Sequence, residues 1–415
     1  MADVDRLEPL TEPGRRYVEL AEKHAADAWN HAPERDRDGR FPVEAFEAMK
    51  ASGLLAAPVP EAFGGLGVTS AHDLAVGLER LGRGDGSIAI ATNMHLSFGL
   101  LATRMWRGAR EGGNASEERA IGTLLSLLGA GGIGMANITE PGTDLNHPLV
   151  EAERVDDGWA IRGRKIFGTL SEIADAFYLT VRVREAEGDR TRAAIVLRGT
   201  PGQEVGHDWD ALGMRASGSH SILYDGCVVS DDQMVAGSTP WGDDSIGALL
   251  NGTVGQIGLF AVFLGIAERA AEIAKDHART KTKAPHGRPV SERSGIQHLV
   301  AEIEIGLSTS RAMLDRLGLL LDQMLARPVA EVGLDDMYPL ARETQCVKLL
   351  TNRAAIDVVD RALSVTGGAG YMTGHPLSRL YRDVRAGPFM QPHGPAEAHE
   401  FIGKIALGLD PTLER

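Results

Sequence analysis

Ala362-Leu363-Ser364-Val365-Thr366-Gly367-Gly368-Ala369-Gly370-Tyr371, then His375-Pro376-Leu377-Ser378-Arg379-Leu380-Tyr381-Arg382-Asp383-Val384-Arg385, then Gly387-Pro388-Phe389-Met390-Gln391-Pro392-His393-Gly394-Pro395-Ala396-Glu397 is the stretch around which this chain is organised. Helix formers up to Val365 give way to Gly367, Gly368 and Gly370, where glycine permits tight turns and close approach of another group to the backbone. Polar and basic residues follow: Arg379, Arg382, Asp383 and Arg385. Residues 388–395 cannot be helix interior, because proline lacks the amide donor and clashes with the preceding turn. A last helix starts near Glu397.

Before this stretch the apolar spacing predicts long helices over residues 248–280, 295–325 and 337–363, broken at Gly287-Arg288-Pro289 and again over residues 327–336. Residues 151–229 read differently. Short segments such as Ala176-Phe177-Tyr178-Leu179-Thr180-Val181 alternate with glycine turns, and Asp157-Gly158 is a hairpin signal, so antiparallel β structure is expected there. Toward the N-terminus, helical spacing returns over residues 14–30, 43–52, 71–81 and 88–105. The expected architecture is α+β in three parts: an N-terminal α-helical domain over residues 1–130, a middle antiparallel β-barrel over 131–235, and a C-terminal four-helix bundle over 236–415. Gly129-Ala130-Gly131-Gly132-Ile133-Gly134 spells a dinucleotide-binding string, but Asn137 to Pro141 breaks any following helix, so the match is taken as chance.

At 415 residues the chain exceeds one ordinary core. Its 43% hydrophobic and 24% charged residues are those of a soluble globular protein, expected to be cytoplasmic. A net charge of −14 argues against a nucleic-acid surface. Cys227 and Cys346 form no disulfide framework or metal spacing, and His375, His393 and His399 have no metal-ligand spacing either. The most apolar run, residues 254–267, is too short to span a membrane and reads as a buried helix.

Taken with motifs elsewhere, the opening stretch resembles the C-terminal signature of the acyl-CoA dehydrogenase superfamily. Pro60-Glu61-Ala62-Phe63-Gly64-Gly65-Leu66-Gly67 is similar to the family's Pro-Glu-x-Tyr-Gly-Gly turn, and Ile138-Thr139-Glu140-Pro141 to its flavin-contacting loop. Lys165-Ile166-Phe167-Gly168-Thr169 resembles its Lys-x-Trp-Ile-Thr strand. Leu212-Gly213-Met214-Arg215, with Tyr224-Asp225-Gly226-Cys227-Val228-Val229, resembles its later strand pair. The matches occur in family order over nearly the whole chain.

The resemblance implies a bound flavin, FAD, or FMN if the chain is monooxygenase-like. Ile138 and Thr139 would lie against its ring, Thr143 would stand near the family's loop serine, Phe167 would cover one ring face, and Thr169 would contact the ring edge. Lys283, His286, Gly287 and Gln297, read as helical, would take the place of an arginine segment and a later glutamine that meet a neighbouring subunit's cofactor. Gly367 and Gly368 would let that cofactor approach the backbone. A homo-oligomer, expected as a tetramer built as a dimer of dimers, follows from such shared sites. Asn93, His95 and Ser97 stand either as ordinary helix positions or as part of the substrate pocket.

The family's catalytic glutamate has no counterpart. Ungapped counting from Arg382-Asp383 puts Gln391 in its place, a two-residue shift puts His393 there, and residues 251–257, which hold the glutamate in some members, carry no acid. Histidine can take a proton near neutral pH and glutamine cannot. Three functions therefore compete. One is a dehydrogenase of acyl-CoA or acyl-carrier-protein thioesters that passes electrons to an electron-transfer flavoprotein; it is expected first because most family members are of that kind. Another is a flavin-dependent monooxygenase or oxidase of the same fold, served by a flavin reductase and acting on a small molecule. The last is a flavin-binding partner subunit without catalysis.

Overall fold

The computed structural model describes residues 6–244, 246–285 and 287–412. The chain opens with α1 (Glu12–Asp38), started by the Thr11 hydroxyl, which accepts from the Gly14 N–H at 3.0 Å, and ended by Gly39 at φ 61°. It outruns the expected residues 14–30 and passes through Pro33, because Ala32 and Arg35 are buried and their packing outweighs the lost hydrogen bond. Next come α2 (Val43–Ala51), α3 (Ala71–Gly84), α4 (Gly86–Glu111) and α5 (Ala115–Gly129). The last was not anticipated, although Asn114 caps it and Ile121, Leu125 and Leu128 share its buried face.

Strands then take over: β1 (Gly134–Ala136), β2 (Glu151–Val155), β3 (Gly158–Gly168), β4 (Ala176–Glu185), β5 (Gly188–Leu197), β6 (Gln203–Val205), β7 (His220–Val229) and β8 (Met234–Pro240). They form one sheet in the order β6-β7-β3-β2-β4-β5-β8, with β1 alongside β4. The hairpin expected at Asp157-Gly158 is there, with Val155 paired to Gly158 at φ 138°. Most pairs are antiparallel as expected, but β1–β4 and β2–β4 run parallel. β1 arrives directly from α5 and lies beside β4 in the same direction.

The rest is helical: α6 (Ile246–Thr280), a small hairpin of β9 (Thr282–Lys283) and β10 (Arg288–Pro289), then α7 (Ser294–Ala326), α8 (Leu334–Thr366), α9 (Pro376–Val384) and α10 (Pro395–Ala406). The apolar run of α6 is deeply buried, with Phe260, Val262, Phe263, Leu264 and Ile266 all inside. α7 and α8 of the C-terminal block and α3 and α4 of the N-terminal block all pack on it, so one helix is the spine of both helical blocks. Among the described residues no helix is long and apolar enough to cross a membrane.

Helix α9 ties the sheet to the bundle. The Met214 N–H donates to Asp383 Oδ1 at 2.7 Å, and Arg382 Nη1 donates to Leu212 O at 3.1 Å and to Asp36 Oδ1 at 2.9 Å. A Cβ on Gly213 would lie 2.3 Å from the Arg382 carbonyl, so the contact requires glycine. Arg382 and Asp383 are thus structural joints.

Candidate functional site

The turn that leaves β1 and the end of β3 form one edge of the site. Lys165, completely buried on β3, donates from Nζ to Glu140 Oε1 at 2.6 Å and to the Ile138 carbonyl at 3.4 Å. Burial pushes this ammonium down to about 8, against the pull of Glu140. The other carboxylate oxygen accepts from the Leu149 and Val150 N–H groups at 2.8 and 2.9 Å. Ile166 N donates to the Thr139 carbonyl at 2.9 Å. Residues 138–140 are therefore pinned onto β3 with the Thr139 carbonyl committed, and its hydroxyl and N–H are the groups through which it could donate to a ligand.

Phe167 follows at φ 53°, a backbone region costly for a residue with a side chain. Its ring is 58% exposed and meets Trp209 edge-on, centroids 6.1 Å apart at 85°. A strained, outward-facing aromatic ring is what a planar heteroaromatic partner would cover. Beside it the Thr169 hydroxyl is 2.8 Å from Ser219 Oγ, itself 2.6 Å from Ser217 Oγ. Trp209, Ser217 and Ser219 were not singled out from the sequence, since no periodicity relates them to Phe167 or Thr169. Thr143 stands apart: its hydroxyl donates to the His147 carbonyl at 2.6 Å and closes its own loop.

Helix α4 connects this edge to the bundle. Phe98 fills the space where Gly134 of β1 would carry a Cβ, and Ser97 lies beside Gly255 of α6. Asn93 donates to the Gly255 carbonyl at 3.0 Å and accepts from Ser97 Oγ at 3.2 Å. His95 does not join them. Two residues along a helix is a 200° rotation, and its ring is buried on the opposite side: Nδ1 accepts from the Gly134 N–H at 3.1 Å, so Nε2 donates to the Leu55 carbonyl at 2.9 Å. That makes it a neutral structural bridge whose basicity is lowered chiefly by burial.

On the bundle side, Gln256 of α6 donates to Gly252 O at 2.8 Å and accepts from Gln345 of α8 at 3.0 Å. Lys348, also buried, donates to the carbonyls of Met390 and His393. Gly252 faces Pro392, so residues 390–393 lie against the first turns of α6. Gln391 is exposed, and the half-buried His393 ring packs on Phe401 of α10, centroids 4.8 Å apart. The nearest carboxylate along the chain, Glu397, accepts from the Gly394 N–H at 2.6 Å and caps α10.

The remaining expected residues lie elsewhere. Lys283 is not helical: α6 ends at Thr280 and Lys283 sits exposed on the β9–β10 hairpin, paired with Arg288, because the glycine and proline after it favour a turn. His286 lies outside the described residues, and Gly287, at φ 63°, belongs to that turn. Gln297, in the first turn of α7, donates to the Ser291 carbonyl at 3.0 Å. Gly367, closing α8 at φ 62°, and Gly368 have open space where a Cβ would stand and face outward.

Comparison with known proteins gives three family matches in chain order: acyl-CoA dehydrogenase N-terminal domain over residues 11–106, middle domain over 132–227 and C-terminal domain over 250–402. The chain is 36% identical to the amino sugar nitrososynthase DnmZ of Streptomyces peucetius, over 98% of this chain and 97% of that protein. It is 37% identical to the L-evernosamine nitrososynthase of a Micromonospora species, over 98% and 93%. Its fold is similar to the crystal structure of KijD3 in complex with FMN and dTDP-3-amino-2,3,6-trideoxy-4-keto-3-methyl-D-glucose, at a TM-score of 0.88 and 32% identity over 97% of this chain and 95% of that one.

Proposed function

This chain belongs to the acyl-CoA dehydrogenase family, and from that premise we propose that it is a flavin-dependent N-oxygenase of an amino sugar carried on a nucleoside diphosphate. One observation carries the choice within the family. Dehydrogenation of a thioester starts with removal of a carbon-bound proton by a positioned base; the segment where the family keeps it holds Gln391 and His393, and the adjacent Glu397 is committed to capping α10. Oxygenation of an amine removes no carbon-bound proton: the nitrogen need only lose its ammonium proton, which a histidine can accept near neutral pH. The likeness to nitrososynthases supports the same reading, which replaces the thioester dehydrogenase expected first from family frequency. A catalytically silent partner subunit is not required to explain the missing carboxylate.

The chain's own residues take these roles. A flavin, FMN or FAD, would be held by Phe167 against one ring face, by Ile138 and Thr139 along its edge, and by the Thr169 hydroxyl, which lies 2.8 Å from Ser219 Oγ and could donate to the flavin or accept from it. A bound reduced flavin supplies the two electrons with which dioxygen converts R–NH2 to R–NHOH, the second oxygen atom leaving as water. Asn93 and Ser97 form the wall of the substrate pocket on α4. His393 takes the proton that a sugar ammonium must lose before its nitrogen can react.

Anaerobic titration with a panel of acyl-CoAs should leave the flavin absorbance unchanged, whereas reduced flavin, oxygen and a dTDP-amino sugar should give a hydroxylamino or nitroso product by mass spectrometry. Bleaching by a thioester would sink the proposal. His393→Ala should slow turnover by roughly 10²–10⁴ with flavin content intact; an unaltered rate removes His393 from the reaction.

A further inference from the structure

Lys348 has no task in the roles above, yet it is fully buried in the middle of α8, where lysine rarely sits without a strong partner. An apolar side chain would pack a helix interface at lower cost than a desolvated ammonium. What the ammonium does instead is donate to two carbonyls, those of Met390 and His393, which bracket Gln391 and Pro392. This segment runs between the short 3₁₀ turn Gly387–Phe389 and α10, and so has no helix or strand ladder of its own to satisfy those carbonyls. The neighbouring side chains extend the polar seam: Gln345, one turn earlier on α8, bonds Gln256 of α6, and its buried Oε1 has no hydrogen-bond partner among the described residues. Burial pushes Lys348 down to about 8, opposed by Glu397 on α10, so it still carries its proton near neutrality.

We propose that Lys348 is a positioning residue that latches residues 390–393 onto the α6–α8 face and thereby fixes where Gln391 and His393 meet the substrate. The proposal rests on the oxygenase reading for its consequence but not for its geometry. Within an oxygenase, a substrate end held out of place lets reduced flavin consume oxygen without oxidising the amine. Loss of the latch should therefore appear as uncoupling and a raised KM more than as loss of flavin.

The test is hydrogen–deuterium exchange over residues 389–394 in the flavin-loaded protein, together with KM, kcat and product formed per reduced flavin, for wild type, Lys348→Met and Lys348→Arg. Lys348→Met should speed exchange in that peptide by about tenfold or more while the rest of α8 and the sheet stay protected. It should also raise KM for a dTDP-amino sugar and divert reduced flavin to hydrogen peroxide. Lys348→Arg, which restores donors to both carbonyls, should recover protection and coupling in part. Should Lys348→Met not accumulate folded, Lys348→Gln replaces it: its shorter amide can hold at most one of the two carbonyls, so exchange should still rise in residues 389–394, by less than for loss of both bonds. Unchanged exchange in residues 389–394, or acceleration spread evenly over the bundle, overturns the latch. Because exchange needs no substrate, local opening without any amine oxidation would leave the latch standing and remove the oxygenase reading.

Discussion

Glu140 holds more of the site's geometry than the groups it would place against a ligand. One oxygen pairs with buried Lys165 and the other accepts two backbone N–H groups, so a single carboxylate fixes where Ile138 and Thr139 lie. Removing its charge leaves an ammonium in the sheet without a counter-ion. Glu140→Gln should cost about 3–5 kcal/mol near neutral pH, measured by denaturant unfolding. The sign of the pH effect follows from Lys165, whose folded value is already lowered to about 8 and falls further without Glu140. The unfolded chain then keeps a proton that the folded variant has lost, so the variant regains stability as pH rises, and its deficit should shrink towards pH 8. A deficit independent of pH would mean that lost packing, not the orphaned charge, is responsible. In the sequence Glu140 was legible only as a motif letter, since its partner is 25 positions away.

At the scale of elements, the hairpin after α6 departs most from the expectation, and it decides how Lys283 can act. On a helix Lys283 would have a fixed direction; on a two-residue strand beside Arg288 it is exposed, a charge open to an anionic group such as a cofactor phosphate. Lys283→Glu should accordingly lower flavin retention after dialysis, more steeply at low ionic strength, where charge is least screened. Retention equal to wild type would assign the hairpin no part in cofactor binding. The long helices were legible because their apolar spacing persists over many turns, and the β2–β3 hairpin because Asp157-Gly158 encodes its own turn. Helix α5 and the hairpin were not: one has a weak stripe with glycine in its buried face, the other is too short to carry a period. For the site, motif order singled out Ile138, Thr139, Phe167 and Thr169, which lie together where the turn after β1 meets the end of β3. It placed His95 with Asn93 and Ser97, which the rotation of α4 rules out, and it gave no hint of Lys348, whose partners are backbone carbonyls and leave no trace in side-chain identity.

Across the whole molecule, α6 is shared by both helical blocks, and at the end of α8 Gly367 and Gly368 lie exposed with open space where a Cβ would stand. Next to them Tyr371 and Met372 are 85% and 63% exposed. Such large apolar side chains at the surface mark an interaction face rather than a solvated one. With a net charge of −14, copies of this chain repel at long range, so self-association has to come from close apolar contact of this kind. Expected at this scale is a homo-oligomer in which the Gly367–Met372 corner meets a second copy. Sedimentation velocity should find the loaded wild type larger than a monomer. Tyr371→Glu combined with Met372→Glu should shift it towards monomer, because burying two carboxylates in that contact is costly. If the corner also borders the cofactor of the second copy, the same variant should release flavin on dilution while its helical circular dichroism is unchanged. A wild type that sediments only as a monomer and keeps its flavin would sever the link between these glycines and the cofactor, and would leave the corner without a partner of its own kind.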